Sequence, residues 1–242
     1  MRLPHDHPQR LALHEEVHAR PSEALRTPLR VTFLALASEP SEREQEWAHV
    51  RSLAARYGVD LPETGLNHCS VDLGSFRLKW ERHSEFARYK FIVAGLGDAP
   101  FATPAIDVVP QDWLAGLTGK VMVAAHVALA RAPEQPLGHD AMSAELFDGN
   151  IVVGANIADG AGAAYTDFHL HDGFSRVLIE DRSMSARQAG RMVQRLLEIE
   201  TYRMMALLAL PVAQQLAPFL GATEHELSEI TTVLAEATEA DE

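Results

Sequence analysis

Cysteine is almost absent: Cys69 is the one thiol in 242 residues. No disulfide framework is possible, and the usage fits a reducing compartment. Positive charge is also short, with 21 Lys and Arg against 34 Asp and Glu, a formal net charge of −13. Such a chain repels phosphate backbones, so nucleic acid is not an expected partner. Neither a P-loop nor a G-x-G-x-x-G fingerprint occurs. The N-terminus, MRLPHDHPQR, has no apolar core of a secretion signal. No run approaches 18 consecutive apolar residues, so a transmembrane helix within the chain is not expected. What remains is a cytoplasmic, soluble globular protein, and its 47% hydrophobic content suffices for a real core.

Three regions emerge. Residues 1–28 form a Pro- and His-rich arm with one short helix at Gln9 to His18. Residues 29–184 read as an α/β domain. Leu29 to Ala37 (LRVTFLALA) suits a buried strand, and Ser41 to Tyr57 an amphipathic helix capped by Ser41 and Glu44, burying Trp47, Val50, Leu53 and Ala54. Alternation predicts strands on both sides of Gly74 and a hairpin joining Phe76 to Glu81 with Arg88 to Val93. A short helix at Pro110 to Leu117 and a central strand at Gly119 to Ala130 follow. Three strand-like pieces come next, at Asn150 to Ile157, Ala163 to His171 and Phe174 to Asp181. Residues 185–242 read as helices, the start of a stalk or coiled region. Met204 to Leu210 is apolar all round, Pro211 should kink or break the helix, and Gly221 should end it. The last stretch, from Ala222, holds seven acidic residues and no Lys or Arg. The fold class expected is α+β: a mixed or largely antiparallel sheet of about six or seven strands with helices packed on one side, then a long helical segment.

Three constellations can carry chemistry. His14-Glu15-Glu16-Val17-His18 is a literal H-E-x-x-H, which on a helix sets His14 and His18 one turn apart to share zinc, with Glu15 as catalytic base. It sits near a terminus among prolines and lacks the third His of the extended form. The competing reading is a surface helix whose histidines make local hydrogen bonds. Asp167, His169 and His171 alternate with Phe168 and Leu170, so one face of a strand would carry two imidazoles and a carboxylate, the donors of open metal sites. Three residues in line on a flat strand do not surround an ion, which favours a plain polar face. Arg77, Lys79, Arg88 and Lys90 would line one face of the hairpin, a local positive patch for an anion or an acidic partner, or simply a solvated sheet face. His126 reads as a hydrogen-bonded core histidine, and Cys69 beside His68 lacks the surroundings of a nucleophile.

The segments HPQRLALHEEVHARP, NHCSVDLGSFRLKWERHSEFARYKF, TDFHLHDGFSRVLIEDR and QAGRMVQRLLEIETYRMMALLALP, in that order, resemble a bacterial family of uncharacterised membrane-anchored proteins, domain-of-unknown-function family 3422. The resemblance runs from about His5 to Pro211. It implies no established activity. It does imply a longer protein with long helices and a C-terminal membrane anchor, of which this chain would be a soluble N-terminal portion on the cytoplasmic side. The family pattern often has Asp or Asn where Glu15 stands, which counts against a zinc hydrolase. A soluble domain followed by long helices and an anchor is also the layout of CorA-type divalent-cation channels, an analogy of architecture in which His and Asp would bind regulatory zinc or magnesium. The leading expectation is a sensory, scaffolding or oligomerising domain that forms a homo-oligomer through its helices.

Overall fold

The computed structural model describes residues 6–8, 10, 22–63 and 67–240. The helix expected at Gln9 to His18 therefore lies outside the described residues. Two compact units are present, residues 1–199 and 200–242.

The first unit is built on a nine-stranded mixed sheet. Its strands are β1 (Leu29–Ala37), β2 (His68–Asp72), β3 (Arg77–Arg82), β4 (Phe86–Ala94), β5 (Lys120–Arg131), β6 (Val153–Ile157), β7 (Gly162–Thr166), β8 (Leu170–His171) and β9 (Phe174–Asp181). The order is β2-β3-β4-β1-β5-β9-β7-β6, with β8 paired to β9. Every pairing is antiparallel except β5 with β9. A parallel pair cannot be closed by a tight turn, so a long crossover separates these two strands. β1 lies at the centre, and its unbroken apolar run is what burial on both faces demands.

One face of the sheet is covered by α1 (Arg43–Arg56), α2 (Gln111–Leu114) and α3 (His139–Leu146). Trp47, Val50, Leu53 and Ala54 of α1 are buried against Leu78, Trp80, Tyr89 and Phe91, as their helical spacing predicts. α1 and α2 lock reciprocally: Trp113 Nε1 donates to the His49 carbonyl at 2.8 Å, and His49 Nε2 lies 2.8 Å from the Trp113 carbonyl. Buried Arg82 ties α1 to β3, its Nε donating to Glu46 Oε2 at 3.0 Å and its Nη2 to the Arg43 carbonyl at 2.7 Å. The cap differs from expectation. Pro40 starts a 3-10 turn, Pro40–Glu42, and the capping box is made by Glu39 and Glu42, so Ser41 falls inside the turn. α3 has no counterpart among the expected elements, which go from the strand ending at Ala130 straight to the strand-like piece at Asn150. Its eight residues bury only Met142 and Leu146, too short a pattern to register as a helical period.

The other face receives the first half of α4 (Ala186–Leu207) and the segment 22–28. Ser185 and Gln188 form the capping box of α4: the Ser185 amide donates to Gln188 Oε1 at 2.9 Å, and the Gln188 amide to Ser185 Oγ at 3.3 Å. Ala189, Val193 and Leu197, one turn apart, are its buried stripe, whereas Ile199 is exposed. Gly190 sits on the same stripe for a steric reason. A Cβ there would lie 1.6 Å from the Glu23 carbonyl oxygen, so only glycine lets segment 22–28 run against the helix, where the Leu25 amide donates to the Ala186 carbonyl at 2.9 Å.

The second unit holds the end of α4 and the helix α5 (Leu210–Ala240), with a turn at Leu208–Ala209. The break falls beside Pro211, as expected. Gly221 does not end the helix, and α5 also runs through Pro218. A single helical glycine costs only about 1 kcal/mol against alanine, which a long helix absorbs.

Gly190→Ala should therefore destabilise the protein by about 1–3 kcal/mol through overpacking, despite alanine's better helix propensity. Gly221→Ala, where no atom lies within 4 Å of the added methyl, should be neutral or stabilise α5 by up to about 1 kcal/mol. Urea midpoints of the two variants check this, and equal midpoints would contradict the packing described.

Candidate functional site

The positive hairpin face exists, but it is turned inward. β3 and β4 pair with Lys79 opposite Lys90 and Glu81 opposite Arg88, and β1 continues the same face with Phe33 beside Lys90 and Ala35 beside Arg88. α4 covers it. Lys79, Glu81, Arg88 and Lys90 are all buried, with Glu81 only 1% exposed, so the solvated-face reading is overturned. Arg77 at the strand end stays partly exposed, near Glu23 and Asp72 at 4.0 and 3.8 Å.

Glu81 is the hub. Lys79 Nζ lies 3.1 Å from its Oε1, and Arg88 Nη2 and Lys90 Nζ lie 3.4 and 3.6 Å from its Oε2. From α4, Glu198 reaches Arg88 Nη1 at 3.7 Å and accepts a hydrogen bond from Gln194 at 2.9 Å. Burial alone would raise the Glu81 carboxyl, but Lys90, Arg88 and Lys79 outweigh it and hold it at about 2. Burial likewise drives the Lys90 ammonium down to about 8 against the opposing pull of Glu81. A cavity of about 10 Å³ beside Lys79, Lys90 and Gly190 leaves no room for more than about one water. The patch is thus a helix-to-sheet ionic contact, closed to a free anion.

The Asp167 to His171 run is also rearranged. The strand breaks after Thr166, Phe168 takes a positive φ of 57°, and pairing resumes only at Leu170. His169 is left exposed, its backbone amide donating to Asp167 Oδ1 at 3.1 Å. His171 turns inward between two carboxylates, with Nε2 2.7 Å from Asp167 Oδ2 and Nδ1 2.7 Å from Asp148 Oδ2. Asn150 donates to Asp167 at 2.9 Å, and Arg176 reaches Asp148 at 3.2 Å. His171, then Arg176, hold the Asp148 carboxyl below its usual range. Burial works against ionised Asp167, but the His169 amide, Asn150 and His171 outweigh it. A metal-binding imidazole needs a free nitrogen lone pair, and both nitrogens of His171 are taken. The arrangement clasps the loop after α3 to the sheet edge. Among the described residues no group of three His, Cys, Asp or Glu side chains is placed to hold a metal ion. His14, Glu15 and His18 lie outside the described residues.

The remaining single residues are structural. His126 Nδ1 lies 3.0 Å from Thr32 Oγ1 and its ring stacks on Phe174, and burial lowers it to about 4. Burial pushes the Cys69 thiol up to about 11, the opposite of an activated nucleophile.

Exposed apolar side chains gather in the second unit. Leu216, Leu220, Leu227, Ile230 and Leu234 are between 52% and 60% exposed. With Thr223 they follow a 4-3-4-3-4 spacing, the a/d seam of a coiled coil. From Met204 to Thr223 there is no Asp, Glu, Lys or Arg. The helical run from Ala186 to Leu234 is, by length and composition, long and apolar enough to cross a membrane, with a window of mean hydropathy 1.5. It meets this measure although no 18 consecutive apolar residues occur in it. Pro211, Gln214, Gln215 and Pro218 interrupt the run without bringing charge.

Missed by sequence reasoning were Asp148, Arg176 and Glu198, partners that come from elsewhere in the chain. The centrality of Glu81 was within reach, since a hairpin turning at residues 83–85 sets it opposite Arg88.

The fold and these sites define a mixed α+β sheet domain followed by a helix whose large apolar side chains are exposed. The chain belongs to the DUF3422 family of proteins of unknown function, whose profile matches residues 5–242. Comparison with curated proteins and with solved structures gives no match.

Two substitutions separate the roles in the buried network. Glu81→Gln leaves three buried cations without their carboxylate and should cost about 3–5 kcal/mol, whereas Lys90→Met should be near neutral or stabilising. With the folded Glu81 near 2 against about 4.3 unfolded, its contribution is full above about pH 4.3 and lost as pH falls toward 2. Lys90 sheds its proton near 8 when folded and near 10.4 when unfolded, so its own contribution to stability should rise between those values, opposed by Cys69, whose thiol is held at about 11 against about 8.5 unfolded. That rise should vanish in Lys90→Met. Chemical denaturation across pH 2–10.5 reads both effects.

Proposed function

We propose that this chain is an assembly domain: the sheet unit is the scaffold, and α5 docks against copies of itself to form a homo-oligomer. The supporting observation is the exposed seam of Leu216, Leu220, Leu227, Ile230 and Leu234 at coiled-coil spacing. Burying a large apolar side chain stabilises by about 1.5–3 kcal/mol each. Glu224 and Glu226 flank the seam and repel their counterparts, but exposed like-charge pairs cost only a few tenths of a kcal/mol each. The seam wins, and its strength depends on salt.

The reading extends to a membrane-associated protein with this domain on the cytoplasmic side. The uncharged stretch from Met204 to Thr223 supports that setting. The CorA-like and zinc-hydrolase alternatives draw no comparable support from the described residues, where no three-ligand group occurs.

Sedimentation velocity at micromolar concentration tests the assembly. Oligomers should form and strengthen as salt screens the glutamates, and Leu227→Asp should return the protein to monomer with its sheet unit still folded. A monomer at every salt concentration, with the helix binding only lipid vesicles, would show that the seam serves a membrane and not a second copy.

A further inference from the structure

One concavity lies away from every site above. A cavity of about 590 Å³ is lined by Leu25, Arg26, Thr27, Arg131, Asp181, Arg182 and the start of α4. We propose that it binds the phosphate oxyanion of a small ligand.

Three observations converge. First, the cavity stands at the carboxyl ends of β5 and β9, the one parallel pair among the described strands, where Arg131 and Asp181 are in register. In open α/β sheets ligands bind in the crevice outside the carboxyl ends of the strands, at a topological switch point. Second, three guanidiniums line one concavity in a protein of net charge −13. Arg182 is fixed by donating to Asn156 Oδ1 at 2.9 Å and to the Gly160 carbonyl at 3.3 Å. Arg26 and Arg131 are exposed and make no ion pair or side-chain hydrogen bond among the described residues. Third, the one carboxylate in the lining offsets at most one of the three guanidinium charges, and both its oxygens are engaged by other donors. Asp181 accepts from Thr27 Oγ1 at 2.6 Å through Oδ2 and from the Met184 amide at 2.7 Å through Oδ1.

Guanidinium forks match tetrahedral phosphate oxygens two at a time, which favours phosphate over a single halide or a lone carboxylate. The volume falls within the range of small-molecule sites, and Leu25 and Met184 offer an apolar wall to the rest of a ligand. At the floor, the α4 capping box leaves the Ala186 and Arg187 amides without intrahelical acceptors, a secondary contribution of the same sign. The phosphate can belong to a soluble metabolite or to a lipid headgroup, and the chemistry at the arginines is the same for both.

Calorimetry on the full chain with inorganic pyrophosphate, and co-sedimentation with phosphatidylcholine vesicles with and without phosphatidic acid, test this. Saturable pyrophosphate binding that weakens about tenfold in Arg26→Gln and in Arg131→Gln, but not in Arg51→Gln on α1, supports a soluble phosphate ligand. Binding confined to phosphatidic-acid vesicles with the same dependence on Arg26 and Arg131 supports a headgroup. No binding in either assay, or binding that both arginine variants retain, overturns the proposal. Helix assembly is read separately by sedimentation, so either proposal can fail without the other.

Discussion

The architecture depends on one buried carboxylate. Glu81 sits under α4 with Lys79, Arg88 and Lys90 around it, and without it the sheet would bury three cations against a helix and the apolar residues of β1. Burying an unpaired charge costs several kcal/mol, more than the apolar stripe of Ala189, Val193 and Leu197 readily offsets. Ion pairs of this kind add little net stability over a well-packed apolar face. What they do add is register: the Arg88 contact to Glu198 forms only when α4 lies at one height along the sheet. Gly190 sets the same height sterically, because the approach of segment 22–28 tolerates no side chain there. Charge and shape thus specify the same docking, and with it the position of the α4 N-terminus beside Arg131 and Arg182.

Local periodicity explains which parts of the fold were legible in the sequence. β1, the β3-β4 hairpin, β5, β9 and the α1 stripe all follow patterns of period 2 or 3.6 over enough residues to be read directly. The polar sites were legible only as lists of residues. Alternation put Lys79 and Lys90 on one face, but whether that face meets water or a helix is decided by α4, more than a hundred residues downstream. The Asp167-His169-His171 reading failed for a local reason. Phe168 adopts a left-handed conformation that breaks the strand, which sends His169 outward and His171 toward Asp148. Nothing in the alternation of apolar and polar residues encodes that turn.

The two units solve opposite problems. In the sheet unit nearly every large side chain of the central strands is covered, and the buried charges Lys79, Glu81, Arg82, Arg88 and Lys90 are paired. In the second unit the large apolar side chains of α5 stay open along its length. The charge distribution follows the same division: the seven acidic residues after Gly221 account for more than half of the net −13. These acidic residues lie on the same helix as the exposed apolar side chains.

Two apolar patterns overlap on α5, and they do not ask for the same partner. Met204 to Thr223 is uncharged on all sides, a composition that lipid or a closed bundle can enclose. The seam from Leu216 to Leu234 is one-sided and continues past Glu224, Glu226 and Glu229. An ionised side chain at the centre of a bilayer costs about 2.5–3.5 kcal/mol or more, and three of them would exceed what the intervening leucines return. The distal half of the seam therefore belongs in water. An apolar stripe beside water is covered by protein or lies along a lipid interface. The 3-4 spacing of Leu227, Ile230 and Leu234 is that of a coiled-coil seam, which is the feature the proposed assembly rests on.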